Sequence, residues 1–397
     1  MRRRGDQTAT RVRFLSLCLC LLMVAAQLSA ASLQTYVEQR TGNNQRALGY
    51  PVPLPIESQT AVAGFRSQAS LFARHQALAL ESPEMEAQVV GQSFAGRSIW
   101  AYRLGDADGT TADGETEPSL LLNGTIHARE WQSPEVATAI MEDLLAGADE
   151  PGIERYLLDN TQLVILPVFN IDGFLQTQRY PTQVLGGEDP SNVEWPRDGR
   201  MRRKNMRGVD EILSTQSDHL FGIDLNRNSA PFWATSSGSS SNNRSLTHHG
   251  AAPAGEPEMQ ALLAAATYAN PARLRFFADL HSYSRVLFTV STGNAAHDAF
   301  TANLAALFSQ VEFGYGPPNS TLPPYFPSPN APGRGIGTTS EYFAYTYQIP
   351  TWTLEIEPGE NGSVEYGSLG ESHDGFILPE SQIARVRDSL SQAHRLL

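Results

Sequence analysis

Hydrophobic residues recur along this chain at two spacings, and the switches between them mark out its elements. Residues 65–80 repeat apolar positions every three to four residues, which predicts a helix. Residues 89–93 and 97–104 read as strands joined by a turn around Gly96. The acidic, glycine-containing stretch 106–117 reads as a surface loop. Residues 119–122 form a short continuous apolar run, suited to a strand buried on both faces. Ser133-Pro134-Glu135 then predicts a helix start with Ser133 as its cap, and Val136, Ala139, Ile140 and Leu144 share one face of that helix. Residues 163–169 are another buried strand, closing on Asn170-Ile171-Asp172-Gly173. Residues 276–280 make a strand that delivers His281 at its end. In residues 351–357 the pattern alternates: Trp352, Leu354 and Ile356 point one way, Glu355 and Glu357 the other. Residues 379–397 read as a C-terminal helix. Strands interleaved with helices predict the α/β class, with functional residues at strand ends. Segments 183–198, 235–247 and 317–337 read as surface loops.

The first residues break this pattern. Arg2, Arg3, Arg4, Arg11 and Arg13 lead into an apolar run over residues 14–26, followed by small residues around Ala31. That is the anatomy of a signal peptide, too short to span a bilayer comfortably, with cleavage near Ala31. The expected organisation is a signal peptide over 1–31, an N-terminal arm over 32–60 and a catalytic domain over 61–397. The expected location is secreted or periplasmic, with no stable membrane insertion after cleavage. Both cysteines, Cys18 and Cys20, lie in the apolar run, which rules out a thiol nucleophile or thiolate metal ligands in the mature chain. The 397 residues are 41% hydrophobic and 18% charged, a globular composition. The formal charge is −13; without residues 1–31, 24 basic residues face 41 acidic ones, a net −17. Such a chain does not attract nucleic acid through bulk charge.

The candidate chemistry lies in scattered fragments. His127 and Glu130 stand three residues apart just after a buried strand, and His281 follows 154 residues later. Two histidines and a carboxylate suit zinc, and three protein ligands leave the fourth position open. The adjacent pair His248-His249 cannot easily share one ion and reads as structural. Arg203 and Arg227 offer cations between the ligands, and Glu355 lies beyond them. A carboxylate on so apolar a strand is costly to bury without a partner, and a zinc-activated water is such a partner. Metal, cationic clamps and a carboxylate base are what hydrolysis of a peptide bond beside a free carboxylate requires.

The ordered fragments resemble the carboxypeptidase A/B family of zinc carboxypeptidases. The matching pieces are His127-Ala128-Arg129-Glu130-Trp131, Arg203-Lys204-Asn205, Asp224-Leu225-Asn226-Arg227-Asn228, His281-Ser282-Tyr283-Ser284 and Thr353-Leu354-Glu355. Residues 92–97 and Gly375-Phe376-Ile377-Leu378-Pro379 match as well. The resemblance covers about residues 60–397 and implies one domain, a central mixed β-sheet flanked by helices. It implies one zinc per chain, held by His127, Glu130 and His281. It makes Glu355 the general base and acid, and Arg203 the cation that polarises the scissile carbonyl. Asn226 and Arg227 match the clamp on the substrate's terminal carboxylate. Arg129, Ser282 and Tyr283 match contacts to the substrate chain, and Asp224 matches the outer acceptor for His127. The implied partner is a peptide or protein with a free C-terminal carboxylate.

Two features depart from the family pattern. The Tyr that usually covers the substrate aligns with Gly333, which leaves Tyr325 as the nearest aromatic candidate. Ser340-Glu341-Tyr342 resembles the pocket-base segment, with a Ser that carries neither the acid nor the bulk the family uses for selectivity. The alternative reading is a related zinc amidase acting on cell-wall (murein) peptides.

Overall fold

The computed structural model describes residues 53–181, 184–185, 198–213, 215, 217–315, 325–359, 376 and 378–396. The expected signal peptide and most of the expected arm lie outside these residues, as does most of the 183–198 loop. Contacts divide the chain into residues 1–58 and 59–397, and the elements below all belong to the second unit.

In chain order the elements are α1 (Gln68–Glu81), β1 (Met85–Gln92), β2 (Ser98–Leu104), β3 (Ser119–Gly124), α2 (Gln132–Ala146), α3 (Ile153–Leu158), β4 (Gln162–Leu166) and α4 (Ile171–Arg179). There follow β5 (Val184–Leu185), β6 (Asp198–Gly199), α5 (Pro257–Tyr268), β7 (Leu274–Ser284) and β8 (Val286–Thr289). The chain ends with α6 (Ala295–Tyr315), β9 (Phe326–Pro329), α7 (Thr339–Tyr347), β10 (Thr351–Gly359) and α8 (Glu380–Arg395). Eight strands form one mixed sheet in the order β1-β2-β4-β3-β7-β10-β8-β9. Helices cover it, so its central strands are buried on both faces; β3 and β4 carry continuous apolar runs, while β7 and β10 set polar residues among apolar ones. No helix among the described residues is long and apolar enough to cross a membrane.

The hairpin of β1 and β2 forms where the alternation places it, and Gly96 takes the turn at φ +81°, which L side chains rarely adopt. At the centre, β3 pairs parallel with both β4 and β7, and β7 pairs parallel with β10. Chain progression runs outward from β3 to β4 on one side and from β7 to β10 on the other. The crevice between β3 and β7 is therefore a switch point, where open α/β sheets place their sites.

Four local expectations differ from the structure. Helix α2 starts at Gln132 with Trp131 as its N-cap, because Ser133 Oγ is engaged otherwise: it donates to the Glu130 carbonyl and accepts from Thr125 N–H. Strand β4 ends at Leu166, since Pro167 cannot continue the ladder. His281 lies inside β7, three residues before its end, paired on the other side by β10. The proposed loop 317–337 holds an edge strand, β9, which pairs parallel with β8; its prolines suit an edge and hid it from a periodicity reading.

Candidate metal centre

The ligand loop leaves β3 through Thr125, whose φ of +63° is unusual for a branched residue. The surroundings fix that conformation. Thr125 N–H donates to Ser133 Oγ at 2.8 Å, its hydroxyl donates to the Pro167 carbonyl at 2.9 Å, and its own carbonyl accepts Asn170 N–H at 3.1 Å. Ala128 N–H then donates to the Arg203 carbonyl at 3.1 Å, tying the loop to the segment that carries the cation. Gly173 makes this approach possible: a Cβ there would stand 2.9 Å from both Ala128 Cβ and the Lys204 carbonyl.

These restraints bring His127, Glu130 and His281 together, all buried. His127 Nδ1 lies 2.8 Å from Glu130 Oε1, His281 Nδ1 lies 3.0 Å from Glu130 Oε2, and the two Nδ1 atoms are 3.0 Å apart. Atoms bound at 2.0–2.1 Å around one tetrahedral ion stand roughly 3.3 Å apart, so the spacing suits zinc with slight expansion.

The outer hydrogen bonds settle which nitrogens face inward. His127 Nε2 donates to Asp224 Oδ1 at 3.2 Å and His281 Nε2 to Asp279 Oδ2 at 3.0 Å, since carboxylates only accept. Both Nδ1 atoms are then left with lone pairs aimed at each other and at Glu130. Three acceptors converging in a buried pocket call for a positive charge. Burial alone would depress His281, yet Asp279 and Glu130 hold its pKa well above the ordinary value, so the surroundings favour positive charge here. Burial would raise Glu130, and His127 and His281 outweigh it, holding the carboxyl far below its usual range. The donor set, its spacing and its outer carboxylates all fit zinc.

Glu355 faces the same space. In the parallel register of β7 and β10 it is the partner of His281. Burial pushes its carboxyl up to about 8, with Glu130 and Asp279 adding to the rise and His281 and Arg203 opposing it. A cation at the three-ligand site acts in the lowering direction. Arg203 Nε donates to Asp224 Oδ2 at 3.1 Å, so one carboxylate positions both His127 and Arg203. Burial works against the Arg203 charge, but Asp224 and Glu130 more than restore it.

Arg129, Glu130, Arg203 and Glu355 line an open cleft of about 610 Å³, with Ser282, Tyr283 and Phe376 completing its wall. Tyr283 packs edge-on against Phe376 at 4.9 Å, and the Arg129 guanidinium lies 4.1 Å over the same ring. Ser282 N–H donates to Glu130 Oε2 at 3.2 Å, orienting the ligand. Asn226 and Arg227 are not among the residues that line this cleft. Asn226 Oδ1 accepts Thr339 N–H at 3.1 Å, and Asn226 Nδ2 lies 3.3 Å from His281 Nε2. Arg227 donates through Nε to the Gly238 carbonyl and through Nη1 to the Asn226 carbonyl, each at 2.7 Å. Its Nη2 makes no hydrogen bond among the described residues.

Tyr325 does not cover the cleft. It is buried, and its hydroxyl accepts Glu357 N–H at 3.1 Å while Arg285 lies over its ring. Ser340, in the pocket-base segment, is buried against Thr353 at 2.9 Å. His248 and His249 bond to the backbone carbonyls of Ser240 and Gly250, away from any metal grouping among the described residues. The sequence reading gave no role to Asp279 or Phe376. Asp279 could have been found, because positions 279 and 281 share one face of a strand.

Set beside known proteins, the geometry has a clear context. The chain is 25% identical over 323 residues to carboxypeptidase B of Rattus norvegicus, covering 78% of this chain and 65% of that one. It is 29% identical over 299 residues to metallocarboxypeptidase A of Trichophyton tonsurans, covering 74% of this chain and 60% of that one. It thus spans less than two thirds of the length of either relative. The crystal structure of carboxypeptidase A from Helicoverpa armigera superposes with a TM-score of 0.63 at 19% identity, covering 92% of this chain and 79% of that one, and so shares the fold. The sequence profile of the zinc carboxypeptidases matches residues 73–390. The chain belongs to the zinc carboxypeptidase family.

Proposed function

We propose that this protein is a zinc-dependent metallocarboxypeptidase that hydrolyses the C-terminal peptide bond of peptides and proteins. The observation that carries the proposal is the meeting of three buried ligands, an adjacent strand carboxylate and an arginine at one open cleft. His127, Glu130 and His281 hold the metal. When bound, zinc supplies Lewis-acid polarisation and eases deprotonation of water.

The chain's own groups do the rest. Glu355 takes the proton from the attacking water and passes it to the leaving amine; burial raises its carboxyl and a cation at the three-ligand site would lower it again, toward the range a general base needs. Arg203, fixed by Asp224, faces the oxygen on which charge develops, a contribution typically of ~3–4 kcal/mol. Arg227 Nη2 and the Asn226 amide read the free carboxylate that makes the enzyme an exopeptidase. Arg129, Ser282, Tyr283 and Phe376 line the path of the upstream substrate chain.

Export fits this activity. The basic lead and apolar run of residues 1–31 support a signal peptide cleaved near Ala31, with a catalytic domain following the arm. A mixed library of synthetic L-peptides, incubated with the purified protein and read by mass spectrometry, tests the reading. Loss of single C-terminal residues is the expected pattern. Turnover confined to muropeptides would instead make the chain a cell-wall amidase.

A further inference from the structure

A second group of ligand-type side chains lies outside the cleft. Asp198, at the end of the β5–β6 pair, meets Asp218 and His219 from the turn that precedes residues 220–224. All three are buried, at 1%, 8% and 6% exposure, and one donor atom from each lies within 4.8 Å of the others.

The ordinary reading is a buried ion-pair network, and part of the cluster answers to it. Asp198 Oδ1 accepts Arg202 Nε at 2.8 Å and Gln176 Nε2 at 3.3 Å. Asp218 Oδ2 accepts Asp210 N–H at 2.8 Å. The remaining oxygens do not fit that reading. Asp198 Oδ2, Asp218 Oδ1 and Gln176 Oε1 are all buried with no hydrogen-bond donor among the described residues. Orphaned acceptors of this kind are costly, and two of these belong to carboxylates. Arg202 pairs directly with Asp198, and its other donors go to the carbonyls of Asn205, Phe221 and His219.

His219 completes the case. Its Nε2 lies 2.7 Å from the Leu213 carbonyl, which can only accept, so the ring hydrogen sits on Nε2 and Nδ1 keeps its lone pair. That is the tautomer a metal-bound imidazole adopts, with a carbonyl as its outer partner. Among the described residues no hydrogen bond or ion pair joins His219 to either aspartate, although the donor atoms are within 4.8 Å. The gap is too wide for direct bonds, and a shared ion at about 2.0–2.2 Å from each ligand would draw the donor atoms closer together.

We infer that Asp198, Asp218 and His219 form a second divalent-cation site, of the zinc class, separate from the ligands at the cleft. One histidine nitrogen and two carboxylate oxygens suit zinc. The ion acts as a clip: it joins the two ends of the segment 198–219, which carries Arg203 towards the cleft. The expected stoichiometry rises from one zinc per chain to two.

The test is elemental analysis of the full-length protein after equilibration with zinc and desalting. The wild type holds two equivalents, Asp218→Asn and His219→Gln each hold one, and the double variant His127→Ala/His281→Ala still holds one. Adding Asp218→Asn to that double variant removes the last equivalent. A wild type that holds one equivalent, unchanged by Asp218→Asn, overturns the site and leaves a proton shared by the carboxylates in its place. Should Asp218→Asn and His219→Gln fail to fold, the double variant decides alone: one equivalent supports the site and none refutes it. The cleft reading fails separately, through a double variant that holds as much zinc as the wild type.

Discussion

Glu355 stands opposite His281 in the parallel pairing of β10 with β7. Paired residues of adjacent strands project to the same face, so the carboxylate and the imidazole share one side of the sheet. Asp279 and Glu357, two residues from each, lie on that side too. Glu357 is claimed by Arg285 at 3.1 Å and by Arg385 at 2.6 Å, and Asp279 by His281. Glu355 is left for chemistry.

Glu355→Gln keeps the size of the side chain and removes its base. We expect kcat to fall by ~10²–10⁴-fold with little change in KM, and zinc to stay bound. Steady-state kinetics with elemental analysis checks this. A variant with near-normal kcat and a lowered Tm would make Glu355 a structural carboxylate.

Asp279 orients His281 and also accepts from Asn123 Nδ2 at 2.7 Å and Thr339 Oγ1 at 2.5 Å. Asp279→Asn keeps the shape but weakens the carboxylate–imidazole bond. Zinc affinity at the cleft should drop by roughly 10–100-fold, read by competition with a chelator. Unchanged affinity in a folded variant would remove Asp279 from the account.

Arg227→Ala removes the guanidinium proposed to read the substrate carboxylate. A charge-assisted bond left unmade costs ~1.5–3 kcal/mol, so KM should rise by roughly ten- to a hundredfold. An unchanged KM for free-carboxylate peptides would place the clamp elsewhere.

Stability should fall on the acid side through His75. It is buried against Thr138, whose hydroxyl already donates to the Pro134 carbonyl, so His75 Nε2 must donate. Burial, reinforced by Arg66 and Arg74, lowers its pKa to about 3. The unfolded chain takes up a proton near pH 6.5 and the folded one does not until about 3. The full contribution is therefore present above pH 6.5 and is lost as pH falls from there toward 3, by up to about 1.4 kcal/mol per unit. Denaturant titrations of the wild type and His75→Gln between pH 7 and 4 check it; parallel pH dependences would assign the acid sensitivity to other groups.

Most of the sheet was legible because β3 and β4 carry continuous apolar runs, β10 alternates and the hairpin carries Gly96 at its turn. The ligands were legible because His127, Glu130 and His281 follow or lie within such strands. What stayed hidden depended on contacts distant in sequence. Ser133 looks like a cap, yet Thr125 and Glu130 claim its hydroxyl. Tyr325 looks like a loop aromatic, yet Glu357 N–H draws it inward. The prolines of β9 mask a strand that only its partner β8 defines.

The central claim is exopeptidase action at a free C-terminus. Its most direct test gives the purified, zinc-loaded protein two versions of one peptide, identical except that the second is amidated at its C-terminal carboxylate. Mass spectrometry should find a single residue lost from the free peptide and essentially none from its amidated twin. Equal turnover of the two, or cleavage within the chain, would contradict the account.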